Sequence, residues 1–527
     1  MLTSKTCVGG MVTAPHHLAA QAGAAILKEG GTAVEAMVAA AATIAVVYPH
    51  MNGIGGDGFW LISEPGKEPI AIQACGPAAR LASKDFYRQL GVNAIPSRGP
   101  KAALTVAGTI GGWSAALEAT RSWGKPLPLS RLLADAIHHA KAGVPVTRSQ
   151  AELTESKWAE LSPQPGFKNI FAPNGVPAIG DILRQPELAA VLSQLTAAGL
   201  DDFYRGDIAR TLANGLEKLG SPLRLADLEA YRAKPVAPLS VELNVGRVYN
   251  LPPPTQGISS LMILALFERL GVKEADGFAH VHGLVEATKR AFILRNAHVT
   301  DPAYMSADPQ SWLTAAQLDQ EAAHINPDQA APWPHPAKPG DTIWMGAADK
   351  DGRVVSFIQS VFWEFGSGIV VPDTGIIWQN RGASFTLDDG PNALEPGKLP
   401  FHTLNPALAR LNDGRTLAYG NMGGEGQPQT QAAVFTRHVL FKQDMQAAIT
   451  APRWLLGRTW GAASTNLKLE GRFPSELIEQ LKAAGHDVEC VPDYTDMMGH
   501  AGAVAVHPNG MIEGATDPRS DGAAIGV

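Results

Sequence analysis

Prolines at 327, 332, 334, 336 and 339 divide this chain into two textures, and that division limits what it can fold into. Proline fixes φ and removes a backbone donor, so residues 324–340 predict an exposed connector at which a cut in the chain is tolerated. β texture starts directly behind it: residues 342–348, the turn Asp349-Lys350-Asp351-Gly352 and residues 353–361 predict a hairpin. Ahead of the connector the chain reads as helices around tight glycine turns. Residues 16–28 have helical apolar spacing and stop at Gly30-Gly31, and Thr32 stands three residues before Glu35, the spacing of a capping box. That box opens a buried helix over 36–47. Residues 129–270 predict mainly amphipathic helices, interrupted by one strand over 239–248. The loop Leu251-Pro252-Pro253-Pro254-Thr255-Gln256-Gly257 feeds a helix over 259–270. Further strands are predicted over 375–378 and 416–420.

The chain has 527 residues, 45% hydrophobic and 18% charged, which suits a large core; a broad sandwich can occupy this length as one unit. With a net charge of −7 and no basic run, neither nucleic acid nor an anionic membrane is an expected partner; a small soluble molecule is. The apolar run 36–47 is too short to cross about 30 Å of hydrocarbon as a helix. Residues 1–11 lack the pattern of a secretion signal, so a cytoplasmic location is expected. Cys7, Cys75 and Cys490 are too widely spaced for a disulfide framework or a CxxC metal site.

Gly53, Gly55 and Gly58 satisfy GxGxxG, but a dinucleotide loop runs from a strand into a helix, and this one runs from a helix into a strand. A tight structural turn is the reading. His16-His17 and His280-Val281-His282 lack metal-ligand spacing, and HExxH is absent, so neither metal nor cofactor is expected. No GxSxG elbow occurs. The junction Gly340-Asp341-Thr342 is more telling. If the Asp341–Thr342 bond is broken, Thr342 gains an α-amine whose reference pKa, about 7.7–8.0, lets it act as base for its own hydroxyl. Read locally, an ordinary strand threonine behind a linker is the simpler alternative. Gly420 to Gln427 holds consecutive glycines after a strand, which form either a nest of N–H groups fit for an oxyanion or a plain tight loop.

Together these segments resemble the γ-glutamyltranspeptidase family of N-terminal nucleophile hydrolases, over nearly the whole chain. The resemblance is carried by Gly10-Met11-Val12, Gly30-Gly31-Thr32-Ala33-Val34-Glu35-Ala36, Gly53-Ile54-Gly55-Gly56, Pro252 to Gly257, Gly340-Asp341-Thr342, Asp349 to Gly352, Phe365-Gly366-Ser367-Gly368, and Asp517-Pro518-Arg519 with Asp521-Gly522. It implies an α+β fold, a four-layer αββα sandwich made as one precursor. Self-cleavage between Asp341 and Thr342 would leave a large subunit, 1–341, and a small one, 342–527, as one intertwined unit. Pairing of two such heterodimers is a further implied step. Thr342 is the implied nucleophile, Gly423 and Gly424 the oxyanion donors, and Ser360 a hydroxyl contacting the nucleophile.

The departures from the family pattern point to the substrate. Gln73 stands where the glutamyl-binding arginine is expected, Ser384 replaces an aspartate, and Phe362 an asparagine. Arg381 appears where the family has a neutral glutamine, and His402-Thr403 replace paired serines. A γ-glutamyl head group needs partners for both its charges, and loss of a buried charge partner costs about 2–5 kcal/mol. The implied substrate therefore carries a carboxylate, lacks an α-ammonium and is short. Arg381, His402, Thr403 and Gln73 are the expected binding residues, with Phe362 and Trp344 narrowing the pocket. Oxamate fits, having one carboxylate joined to one amide. A γ-glutamyl hydrolase or transpeptidase, a cephalosporin or glutaryl acylase, and an uncut binding protein remain the alternatives.

Overall fold

The computed structural model describes residues 3–333, 341–457 and 465–527. Two seven-stranded sheets form its centre. Their strands in chain order are β1 (Lys5–Cys7), β2 (Gly10–Ala14), β3 (Asp57–Ser63), β4 (Ile70–Ala74), β5 (Lys234–Val236), β6 (Leu239–Leu243) and β7 (Gly246–Asn250). After the connector come β8 (Asp341–Asp349), β9 (Val354–Phe362), β10 (Ala407–Leu411), β11 (Thr416–Asn421), β12 (Ala501–Val506), β13 (Ile512–Thr516) and β14 (Ala523–Gly526). One sheet runs β14-β2-β8-β9-β3-β4-β5, the other β1-β13-β12-β11-β10-β7-β6. Chain segments from both sides of residue 341 contribute strands to each sheet, so neither half owns a complete one.

Helices α1 (His17–Lys28), α2 (Ala33–Val47) and α3 (Thr109–Ala119) cover the outer face of the first sheet. Helices α4 (Gly257–Arg269), α5 (Phe278–His298) and α6 (Gly426–Phe435) belong to the layer outside the second. The core divides accordingly. One apolar cluster joins the first helical layer to its sheet, a second does so on the other side, and a third, with Phe59, Leu61, Trp344, Ile358 and Leu408, fills the space between sheets. The protein is the four-layer αββα sandwich of the N-terminal nucleophile hydrolases.

The capping box forms as expected: the Thr32 hydroxyl accepts from the Glu35 N–H at 3.2 Å and the Glu35 carboxylate from the Thr32 N–H at 2.8 Å. Thr32→Ala is expected to cost about 1 kcal/mol, read as a lower urea midpoint. The hairpin behind the connector is β8–β9, antiparallel from Ile343↔Gln359 to Ala348↔Val354. The single strand expected over 239–248 is instead the hairpin β6–β7, which closes around Asn244-Val245 with Gly246 at φ 141°. The GxGxxG segment does join a helix to a strand. A Cβ on Gly56 would stand 2.0 Å from the Ser360 carbonyl and one on Gly55 2.2 Å from that of Ile377, so close backbone approach demands these glycines.

Candidate active site

Thr342 sits at the start of β8, where the pairing with β9 is irregular between Asp341 and Ile343. Ile343 and Met345 pack toward the outer helices and Trp344 packs between the sheets, so strand alternation turns Thr342 into the inter-sheet space. On β9, Phe357 faces outward and Ile358 inward, which puts Ser360 on the same side; Ser360 pairs with Asp57 of β3. Thr342, Ser360 and Asp57 thus lie on one face of three adjacent strands, all buried. Two strand spacings separate the ends of that row, roughly 10 Å. The Ser360 hydroxyl accepts from the Phe362 N–H at 2.8 Å and so fixes the end of β9.

The other sheet supplies the facing wall. β11 ends at Asn421, and the chain turns through Gly423 and Gly424, at φ +112° and +54°, before α6 begins. Successive positive φ values are open to glycine, which lets the chain turn this sharply between β11 and α6. Within the turn both glycines serve as acceptors: Gly423 O takes the Gly426 N–H at 2.8 Å and Gly424 O that of Gln427 at 3.3 Å. From the first turn of α6, the Gln427 amide donates to Thr342 Oγ1 at 3.4 Å. Its carbonyl accepts from the Asn405 backbone and side chain at 3.2 and 3.1 Å, which fixes which end of the amide faces the threonine.

A buried relay holds this turn. The Gln256 amide donates to Thr403 O at 2.7 Å and to Gly424 O at 2.9 Å, tying two loops together. The Arg295 guanidinium donates to Gln256 Oε1 at 2.7 Å and to Glu425 Oε1 at 2.8 Å. Arg295 is 2% exposed, and a charge so deep needs both partners.

Beside the row lies a buried polar group. Asp57 Oδ1 accepts from Gly76 N, Gly108 N and Gln379 Nε2 at 3.3, 3.0 and 3.2 Å, joining three loops. Its Oδ2 is 3.3 Å from His402 Nε2 and makes no hydrogen bond. Burial pushes the Asp57 carboxyl up to about 7, against the pull of Arg381. Burial also lowers Arg381 to about 9, which leaves it charged at neutrality, and holds His402 well below its usual value, hence neutral. The Arg381 guanidinium stacks on Phe362, 3.8 Å from the ring centroid, and its Nε and Nη1 have no hydrogen-bond partner. Neither do both His402 nitrogens and Thr403 Oγ1. So many open valences in a buried site suit a small polar ligand.

A family model for γ-glutamyltranspeptidase matches residues 19–527. The chain belongs to the γ-glutamyltranspeptidase family. It is 56% identical to the oxamate amidohydrolase proenzyme of Klebsiella pneumoniae, with all of both chains covered. It is 40% identical to a glutathione hydrolase-like proenzyme of Bacillus subtilis, over 98% of each. Among solved structures, the cephalosporin acylase from Bacillus halodurans superposes with a TM-score of 0.92 at 32% identity, covering 100% of this chain and 97% of that one. This γ-glutamyltranspeptidase-family member is an amidohydrolase of the N-terminal nucleophile type.

Of the residues expected in this family member's site, Thr403 and Gly424 share the Gln256 amide, Ser360 pairs with Asp57, which lies 3.3 Å from His402, and Thr342 meets Gln427, three residues beyond Gly424. Gln73 lies at the flank: on β4 it shares the inter-sheet face with Ala71 and pairs with Phe59, whose ring packs on His402. Trp344 does not narrow the pocket. Its indole fills the inter-sheet layer against Gly346, Gly420 and Gly502 and donates to Ser356 Oγ at 3.0 Å. Asp57, Gln427, Asn405, Gln256, Arg295 and Glu425 are the residues that sequence reasoning missed. His282, Glu286 and His486 come within 4.8 Å of one another, but the Lys289 ammonium already stands 2.6 Å from Glu286 and supplies the cation there. The first part of the connector is held on α5, through Glu286 to Ala331 N and Lys289 to Ala331 O, whereas Pro334 to Gly340 lie outside the described residues. Among the described residues no helix is long and apolar enough to cross a membrane.

Proposed function

We propose that this protein is made as a precursor, cuts itself between Asp341 and Thr342, and uses Thr342 to hydrolyse oxamate to oxalate and ammonia. The observation that carries the reading is the position of Thr342, buried at the head of a central strand, with the Gln427 amide on its hydroxyl. In maturation the Thr342 hydroxyl attacks the Asp341 carbonyl and water resolves the ester, giving subunits 1–341 and 342–527. In turnover the freed amine takes the hydroxyl proton as Oγ1 attacks the amide carbon. The oxyanion settles on the Gly423 and Gly424 N–H groups, ammonia leaves with the proton, and water cleaves the oxalyl ester. Arg381 holds the substrate carboxylate, with His402 and Thr403 beside it and Gln73 at the edge.

The likeness to a proenzyme of oxamate amidohydrolase supports this substrate, and the likeness to a cephalosporin acylase favours a second one, a longer acyl amide. A single panel separates them. The purified protein is incubated until its mass stops changing, then assayed on oxamate, a γ-glutamyl anilide and a glutaryl amide. The expected result is a small fragment beginning at Thr342 and kcat/KM for oxamate at least tenfold above the others. Faster turnover of the anilide or the glutaryl amide would replace oxamate, and a fragment with another terminus would remove Thr342.

A further inference from the structure

We propose that Asp57 is a specificity residue that restricts the ligand beside Arg381 to a single negative charge, admitting a monoanion and expelling a dianion. The inference rests on the reading of Arg381 as the carboxylate partner. Asp57 cannot swing away from the site, because three donors from separate loops, Gly76 N, Gly108 N and Gln379 Nε2, grip its Oδ1. The remaining oxygen, Oδ2, is left without a hydrogen bond, 3.3 Å from His402 Nε2 and fully buried. Arg381 and Asp57 act on each other's charge, so once Asp57 is ionised, above about pH 7, the site carries one cation and one anion that nearly cancel. One ligand carboxylate can pair with Arg381 through one of its open donors, Nε or Nη1. A second negative group has no cation left, and buried charge is tolerated only when paired.

This arrangement suits a reaction that changes the charge of what it binds. Oxamate is a monoanion, and with one water it gives the oxalate dianion and ammonium. The substrate satisfies Arg381 and presents a neutral amide otherwise; the product presents a second carboxylate in a pocket that already holds Asp57. Asp57 then disfavours the product more than the substrate, and release follows from charge.

The test is a calorimetric titration of the processed full chain at pH 8 with acetate, a monoanion, and oxalate, a dianion. In the wild type acetate is expected to bind at least as tightly as oxalate. Asp57→Asn preserves the acceptor for the Gly76 and Gly108 N–H groups and removes the charge, and is expected to raise the oxalate-to-acetate affinity ratio tenfold or more. A merely structural role would weaken both ligands and leave the ratio unmoved; that result would overturn the proposal. If the variant does not fold, the wild-type comparison decides, and tighter oxalate than acetate there overturns it equally. Ammonia release from oxamate is measured on the same preparation, so absence of turnover with a shifted ratio would remove the substrate and leave the charge selection standing.

Discussion

Thr342→Ala is expected to leave one uncut chain of 55.6 kDa and no ammonia release from oxamate above background. Both losses have one cause. On the proposed mechanism the hydroxyl that attacks the Asp341 carbonyl in maturation is the one that attacks the substrate, and the amine that activates it exists only after the first event. Removing a nucleophile of this kind costs on the order of 10⁴-fold or more in rate. Thr342→Ser separates chemistry from folding, since it retains hydroxyl and amine: it should still cut and still turn over, more slowly. Burial sharpens the contrast, because Thr342 is inaccessible and meets the Gln427 amide at 3.4 Å, a contact the alanine variant loses. Ammonia release that survives in the alanine variant would end the claim, and so would a cut at the same bond.

How much of this could be read from the residues depended on the range of the forces involved. Thr32 and Glu35 are three residues apart and satisfy each other, so local chemistry announces that helix start. The hairpin behind the connector is equally local, with a short polar turn between two apolar runs. The β6–β7 hairpin was hidden because its turn, Asn244-Val245, carries an apolar residue that continues the strand pattern. Trp344 follows the implied nucleophile by two residues and is bulky, which suggests a pocket wall, but β8 and β9 are buried on both faces, so the residue pattern alone does not tell which side its indole takes. The family motifs point to Thr342, Ser360, Gly423 and Gly424 as site residues. They include Gln256 but give it no role, because its partners Thr403 and Gly424 lie 147 and 168 residues away. Asp57 was passed over for a different reason: within a run of glycines it reads as one more turn residue, and only the fold brings it to His402.

Arg381→Met is expected to reduce kcat/KM for oxamate by about 30- to 4,000-fold, the loss of about 2–5 kcal/mol that follows when a buried charge partner is truncated. Methionine matches the length of the arginine stem and can keep a sulfur–aromatic contact with Phe362, so the change isolates the charge from the packing. If Arg381 holds the substrate carboxylate as proposed, it grips an unreactive group equally before and during attack; the loss should therefore fall on KM, with kcat little changed. Asp57 responds in a definite direction. Arg381 now draws its carboxyl down against burial, so without that cation the carboxyl rises above about 7 and stays protonated at neutral pH. A neutral Asp57 has no charge left to remove, and Asp57→Asn added to Arg381→Met should then change oxamate kinetics far less than it does alone. Additive effects of the two substitutions would show that they act separately. An unchanged KM in Arg381→Met would show that the carboxylate is held elsewhere, and Gln73 and Thr403 would be the next residues to exchange.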